Sequence, residues 1–287
     1  MEIGIGIPNS VRGTTGPQLL EWARRADAAG FSSMGSIGAV SYPSYEELTV
    51  FAAAGAVTER IRFVSNILIA PARSTAELAK QAATVQQITS GRLMLGLGVG
   101  WRQSDYTLTG RDFTQRGRLF DEQLAGLRRA WAGETLLDGT RPAAPDPGTA
   151  GGIPLLIGGS SNATIRRVVE HGVGWTAGGA PPERIRAFAE NVRAAWTSAG
   201  RDGVPIVSAL AYFGLGATEK DPRDYLLDYY QPMGAEVAQM IAGNALLTPE
   251  AIKRAIATYA DLGVDELILD PTVSDPDQVD RLADVAL

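Results

Sequence analysis

The chain contains no cysteine. That excludes a disulfide framework, a thiolate nucleophile and a cysteine metal site. It has one histidine, His171, too little for an imidazole-rich metal centre. A metal-dependent hydrolase built on a barrel is disfavoured for the same reason. No apolar run approaches the ~20 residues that span a bilayer. The first residues, MEIGIGIP, lack the basic start of a secretory signal. Net charge is −6, and no run of Lys and Arg interleaves with aromatics, which argues against nucleic acid. A cytoplasmic protein without membrane or nucleic-acid partners is expected. The 287 residues leave room for one large domain, taken here as 1–287.

What is present is a rhythm. β-like runs occur at 2–8, 32–37, 61–70, 93–100, 153–159, 173–179, 205–216 and 265–271. Helical patterns lie between them at 17–30, 45–59, 76–90, 116–133, 162–172, 181–200, 222–243 and 249–262, with a last one at 276–286. Ser74-Thr75-Ala76-Glu77 has the form of a capping box. Glycine ends several helices shortly before the next strand, as at Gly30, Gly91, Gly172, Gly200 and Gly263. Such alternation implies a parallel sheet. Eight βα units in a chain of this length predict an α/β fold, a (β/α)8 TIM barrel with loop and helical insertions. A doubly wound sheet is the competitor. Its nucleotide fingerprint fails, because in GLGVGW the residue Trp101 stands at the third glycine position.

Active sites of such barrels lie at the C-terminal ends of the strands. Those ends include Asn9, Ser36, Asn66, Gly98-Val99-Gly100-Trp101, Gly158-Gly159-Ser160-Ser161, Gly178-Gly179 and Asp270. They are rich in glycine and small polar groups and poor in acids and bases. A site of this composition suits a bound cofactor that supplies the reactive atoms. Asn9, Ser36 and Asn66 are the candidate hydrogen-bonding groups toward ring or substrate. Gly96, Gly98 and Gly100 fall on one face of a strand, which is then stripped of side chains and open to a flat ligand. Gly158 to Ser161 precede a helix and form a candidate phosphate cradle. A glycine turn followed by an ordinary N-cap is the competing account. Asp105 reads as a cap and Tyr106 as packing. His171 closes a helix, where the dipole favours a cation.

The blocks ERIRFVSNILIAPARS, AKQAATVQQITSGRLMLGLGVGWRQSDYTLTGRDFTQRGRLFDEQLAGLRRAW, PLLIGGSSNATIRRVVEHGVGW and TPEAIKRAIATYADLGVDELIL are familiar. Over nearly its whole length the chain resembles the bacterial luciferase-like family of flavin- and deazaflavin-dependent oxidoreductases. The resemblance implies a TIM barrel holding an isoalloxazine-type ring at its mouth. It places Asn66 and Ile67 at a bulge with a non-proline cis peptide behind the ring. It assigns cofactor contacts to Asn66, Ile67, Gly98, Gly100, Trp101, Gly158, Gly159, Ser160 and Ser161, and to Gly178 and Gly179. Many members carry an Asp-His pair where this chain has Ser36-Ile37. Deazaflavin-dependent sugar-phosphate dehydrogenases carry a carboxylate where it has Trp101. The expected activity is F420-dependent hydride transfer with a small organic substrate. The alternatives are a reduced-FMN monooxygenase, supplied by a flavin reductase and using oxygen, and a cofactor-free binding or partner subunit. A homodimer is expected. Substrate specificity is assigned to loops 9–16, 38–44, 134–152 and 216–248, with Tyr42, Tyr229 and Met233 as pocket candidates.

Overall fold

The structure is a computed structural model and describes residues 1–216 and 220–287, so part of the expected specificity segment 216–248 lies outside the described residues. The strands are β1 (Glu2–Gly6), β2 (Ser33–Ser36), β3 (Arg62–Ser65), β4 (Leu68–Ile69), β5 (Leu93–Gly98), β6 (Leu155–Gly158), β7 (Gly174–Thr176), β8 (Ile206–Phe213) and β9 (Glu266–Pro271). Their order is β3-β2-β1-β9-β8-β7-β6-β5-β4, and β3 also pairs with β5. The pairings are parallel and the ring closes. The expected (β/α)8 barrel is therefore the fold. The ninth strand arises because the run 61–70 is two pieces, β3 and β4, separated by a cis peptide bond between Asn66 and Ile67.

The helices are α1 (Gly16–Ala29), α2 (Glu47–Gly55), α3 (Thr75–Ile88), α4 (Gln103–Leu108), α5 (Arg116–Trp131), α6 (Asn162–His171), α7 (Pro182–Ser198), α8 (Lys220–Tyr230), α9 (Ala235–Gly243), α10 (Pro249–Asp261) and α11 (Asp277–Ala286). Local chemistry starts several of them. Thr15 and Gln18 form a reciprocal capping box on α1, and Gly30 at φ 106° ends it. On α3, Ser74 accepts the Glu77 N–H, but no bond returns from the Glu77 side chain, so only half of the expected box forms. The short α4 follows Trp101 directly, where the sequence pattern had shown no helix. Among the described residues no helix is long and apolar enough to cross a membrane.

Strand alternation sorts side chains into two layers. Met34, Phe63, Leu95, Leu97, Val207, Ala209, Phe213, Leu267 and Leu269 pack outward against the helices. Val64, Leu156 and Ile268 fill the barrel interior. Ile37, Leu210 and Tyr212, at the mouth end, pack against Tyr225, Leu226 and Tyr229 of α8. The insertion α8–α9 thus covers part of the mouth.

The break in the third stave depends on β5. The Ser65 hydroxyl donates to the Gly96 carbonyl at 2.9 Å, and the Gly96 N–H donates to the same hydroxyl at 3.0 Å. A Cβ on Gly96 would lie 1.8 Å from the Ser65 carbonyl oxygen. A Cβ on Gly98 would lie 2.9 Å from Ile67 Cδ1, the movable end of a side chain. The glycine face expected to be open to a ligand is therefore largely filled from within. Gly96 admits the backbone of β3 and Gly98 admits Ile67, while Gly100, at φ 65°, lies beyond the strand. These contacts predict unequal costs. Gly96→Ala should destabilise the fold by about 3 kcal/mol or more, because rigid backbone must move. Gly98→Ala should cost only about 1 kcal/mol, the scale of mild overpacking. Urea unfolding of both variants measures the difference.

Candidate active site

The barrel mouth holds a cavity of about 390 Å³. This volume is of the size of small-ligand sites. Its walls come from strand ends and the loops beyond them. The Asn66–Ile67 bulge and Ile69 form one side, Gly98 to Arg102 with Asp105 another, Gly158 to Ser160 a third, and Tyr229 with Tyr230 the cover from α8. Ile37 and Gly38 complete it. Nine residues assigned from the sequence thus meet in one place: Asn66, Ile67, Gly98, Gly100, Trp101, Gly158, Gly159, Ser160 and Tyr229.

Asn66 is the best-defined polar group in the wall. Its Oδ1 accepts from the Thr176 hydroxyl at 2.7 Å, which fixes the amide orientation. Its Nδ2 is buried and has no acceptor among the described residues. A buried amide donor without a partner costs free energy, and an acceptor on a bound ring would satisfy it. Ile67, filling the space above Gly98 and Gly158, supplies an apolar surface beside that donor.

The turn after β6 is more occupied than its sequence suggested. Ser161 is the N-cap of α6 and forms a reciprocal capping box with Thr164. Its hydroxyl and N–H are thereby engaged locally, which realises the competing account for this one residue. Gly159 sits at φ 120°, and a Cβ there would meet Thr164 Oγ1 at 2.7 Å. Gly159 and Ser160 remain exposed at the cavity rim. These two are the exposed part of the candidate cradle that lines the cavity.

Other expected residues lie outside the cavity walls. Asn9 is buried and donates to the carbonyls of Ile37 and Tyr45, which ties the β1 and β2 loops together. Ser36 is buried on the face of β2 that it shares with Met34, toward the helices and away from the barrel interior. Gly178 and Gly179 follow β7 without reaching the wall. Tyr42 packs edge-on against Tyr229 with ring centroids 4.9 Å apart, and its hydroxyl donates to Asp228 at 2.7 Å. Met233 is 39% exposed beyond α8. His171 ends α6 at the opposite end of the barrel. Burial, aided by Arg128 and Arg166, lowers its pKa and outweighs Glu170, so the expected dipole-stabilised cation does not prevail.

The structure also brings to the mouth groups to which the sequence reading gave no role in the site. Asp105 is fully buried in the cavity wall, where its Oδ1 accepts from the N–H groups of Val40 and Ser41 and from the Ser41 hydroxyl. It ties loops together and does not cap a helix. Tyr106, as expected, packs, with its hydroxyl donating to Val99 at 2.5 Å. Asp270 lies in register with Tyr212, buried with its Oδ1 unpartnered, and burial pushes its carboxyl well above the usual range. Even-numbered parity along β9 would have revealed its inward direction. The Tyr212 and Tyr230 hydroxyls are 2.5 Å apart, and burial raises both phenols, so they stay neutral. Glu47 presses against Gly38, where a Cβ would lie 1.6 Å from its Oε1, and it pairs with Arg73 at 2.8 Å. No local sequence signal distinguishes Glu47 from a first-turn helix acid.

The sequence profile of the luciferase-like monooxygenases matches residues 1–286. The chain belongs to that family. An uncharacterised protein of Mycobacterium tuberculosis (strain H37Rv) is 30% identical over 211 residues, covering 62% of this chain and 71% of that protein. Among solved structures, a monooxygenase from Streptomyces bottropensis superposes with a TM-score of 0.81 at 20% identity, covering 100% of this chain and 98% of that one. An F420-dependent secondary alcohol dehydrogenase, solved with an F420-acetone adduct, gives 0.79 at 17% identity, covering 99% and 97%. These likenesses confirm the barrel. Family membership makes the protein an oxidoreductase of the luciferase-like type. Among the described residues no cluster of His, Cys, Asp or Glu could hold a metal ion.

Glu47 gives this site a pH signature. Burial pushes its carboxyl up to about 7, against the opposing pull of Arg73. The folded state therefore keeps a proton that the unfolded chain releases. Its contribution to stability is complete below the ordinary carboxylate range and is lost as pH rises through about 7. Comparing urea midpoints of wild type and Glu47→Gln from pH 4.5 to 7.5 should show the wild type losing about 2–3 kcal/mol relative to the variant as pH rises. A constant difference across that range contradicts the assignment.

Proposed function

We propose that this family member is an F420-dependent oxidoreductase, moving a hydride between the deazaflavin and a small organic substrate. The observation that carries this reading is the unpaired Asn66 Nδ2 beside Ile67 in the wall of a barrel-mouth cavity. The cavity fits a flat ring that brings a hydrogen-bond acceptor to one edge and an apolar face to Ile67. The exposed rim of Gly159 and Ser160 suits the phosphate of the side chain.

When bound, the deazaflavin would supply two-electron hydride chemistry, and Asn66, Ile67, Gly159 and Ser160 would hold it. The chain's residues supply position and environment. Asn66, oriented by Thr176, holds the ring edge. Ile67 backs the ring. Trp101, Tyr229 and Tyr230 cover the substrate space with neutral aromatic surface. No cysteine exists and His171 is remote, so neither a thiolate nor an imidazole takes part.

The second reading, a reduced-FMN monooxygenase working with a flavin reductase, is supported by the likeness to the Streptomyces monooxygenase and to a Pseudomonas putida Baeyer-Villiger monooxygenase solved with FMN. Against it stands Trp101 at the mouth, which is 37% exposed, whereas oxygen chemistry on a reduced flavin calls for exclusion of water.

Equilibrium titration with oxidised F420 and with FMN tests the proposal. F420 should bind more tightly than FMN, and Asn66→Ala should weaken F420 by about tenfold, the value of one hydrogen bond to a buried donor. Tighter FMN binding would transfer the protein to the second reading. Binding of neither would leave a cofactor-free role.

A further inference from the structure

Arg102 is a charged residue that the reading above does not use. It is 4% exposed and lines the mouth cavity. Its guanidinium carbon lies 4.1 Å from the Tyr229 ring centroid and 4.4 Å from that of Trp101, with Tyr42 at 5.9 Å. Aromatic faces attract a cation and hold the guanidinium in place. Its Nη2 donates to the Tyr229 carbonyl. Among the described residues its hydrogen bonding is to Tyr229 alone and it forms no ion pair, whereas Arg73 and Arg167, which are also largely buried, each have carboxylates. Asp105, three residues along, directs its Oδ1 to the 40–41 loop and makes no ion pair with Arg102.

A buried cation without a counter-charge is costly, and the cost is recovered when an anion enters. A guanidinium also offers its donors as a fork that matches a carboxylate or phosphate in a bidentate pair. We propose that Arg102 anchors an anionic group, a carboxylate or phosphate, carried by the substrate; this rests on the oxidoreductase reading of the cavity. The side of the cavity decides for the substrate over the cofactor. The contacts of Arg102 come from Trp101, from Tyr42 in the loop after β2 and from Tyr229 on α8, the last two in the segments to which the sequence reading assigns substrate specificity. The turn suited to the cofactor phosphate, Gly158 to Ser160, is a separate part of the wall, on β6.

Calorimetric titration of the full chain with butyrate, inorganic phosphate, F420 and FMN, on wild type, Arg102→Met and Arg102→Lys, tests this. Methionine keeps comparable apolar volume, and removing a buried unpaired charge in this way is often neutral or stabilising. The expected result is that wild type binds butyrate or phosphate and Arg102→Met loses that binding by about tenfold or more. Arg102→Lys should also lose most of it, since an ammonium lacks the planar fork. Cofactor affinity should stay within about twofold and the melting temperature should not fall. A tenfold loss of F420 or FMN affinity with anion binding intact would assign the guanidinium to the cofactor phosphate and overturn the proposal. A lower melting temperature with all binding unchanged would make Arg102 a structural tie to α8, and wild type binding neither anion would also overturn it. Loss of anion binding in Arg102→Met, in a wild type that binds neither cofactor, would uphold the anion site and refute the oxidoreductase reading instead.

Discussion

The site depends on the close approach of β3 to β5. The third stave of the barrel stops pairing at Ser65, turns through the cis bond between Asn66 and Ile67, and resumes at Leu68. That detour needs space, and Gly96 provides it by letting the Ser65 carbonyl come where a side chain would otherwise stand. The Ser65 hydroxyl satisfies both the N–H and the carbonyl of Gly96 across the gap. Buried backbone groups must be paired, so this one serine keeps the interrupted ladder closed. The consequence is at the mouth. Asn66 is delivered with one amide atom fixed by Thr176 and the other unspent, and Ile67 is delivered as a flat apolar backing.

Around this bulge the cavity is built largely of neutral or locally committed groups. Asp270 and Glu47, acids that burial drives toward protonation, sit near the mouth rather than as an ionised pair in its wall. Tyr212 of β8 and three tyrosines of the cover, Tyr225, Tyr229 and Tyr230, keep their protons because burial disfavours the phenolate. Asp105 spends one oxygen on the 40–41 loop. Beside it in the wall stands Arg102, held between aromatic rings. A site so arranged orients a ligand and sets its environment, which is the contribution a cofactor enzyme asks of its protein.

Much of this was legible in the sequence because it is periodic. The βα rhythm identified the barrel, and strand ends pointed to Asn66, Trp101 and the Gly158–Ser160 turn. The resemblance placed the cis bond correctly. What failed to show was direction and partnership. Strand ends say which residues are near the mouth, but Ser36 and Asn9 turn to the helix layer and to a neighbouring loop. The glycines of β5 were readable as a place of close approach, yet not as an approach by the chain's own backbone and Ile67. Arg102 and Glu47 matter through contacts with α8, Gly38 and Arg73, which are remote in sequence and carry no local pattern. The short α4 was hidden because six residues are too few to display a helical period.

The central claim is that the Asn66–Ile67 bulge is the seat of a ring-type cofactor. A crystal structure of the protein soaked with oxidised F420 addresses it most directly. The account predicts the tricyclic ring inside the mouth cavity, in contact with Ile67 and accepting a hydrogen bond from Asn66 Nδ2. F420 bound elsewhere, with Asn66 Nδ2 still without an acceptor, would contradict it.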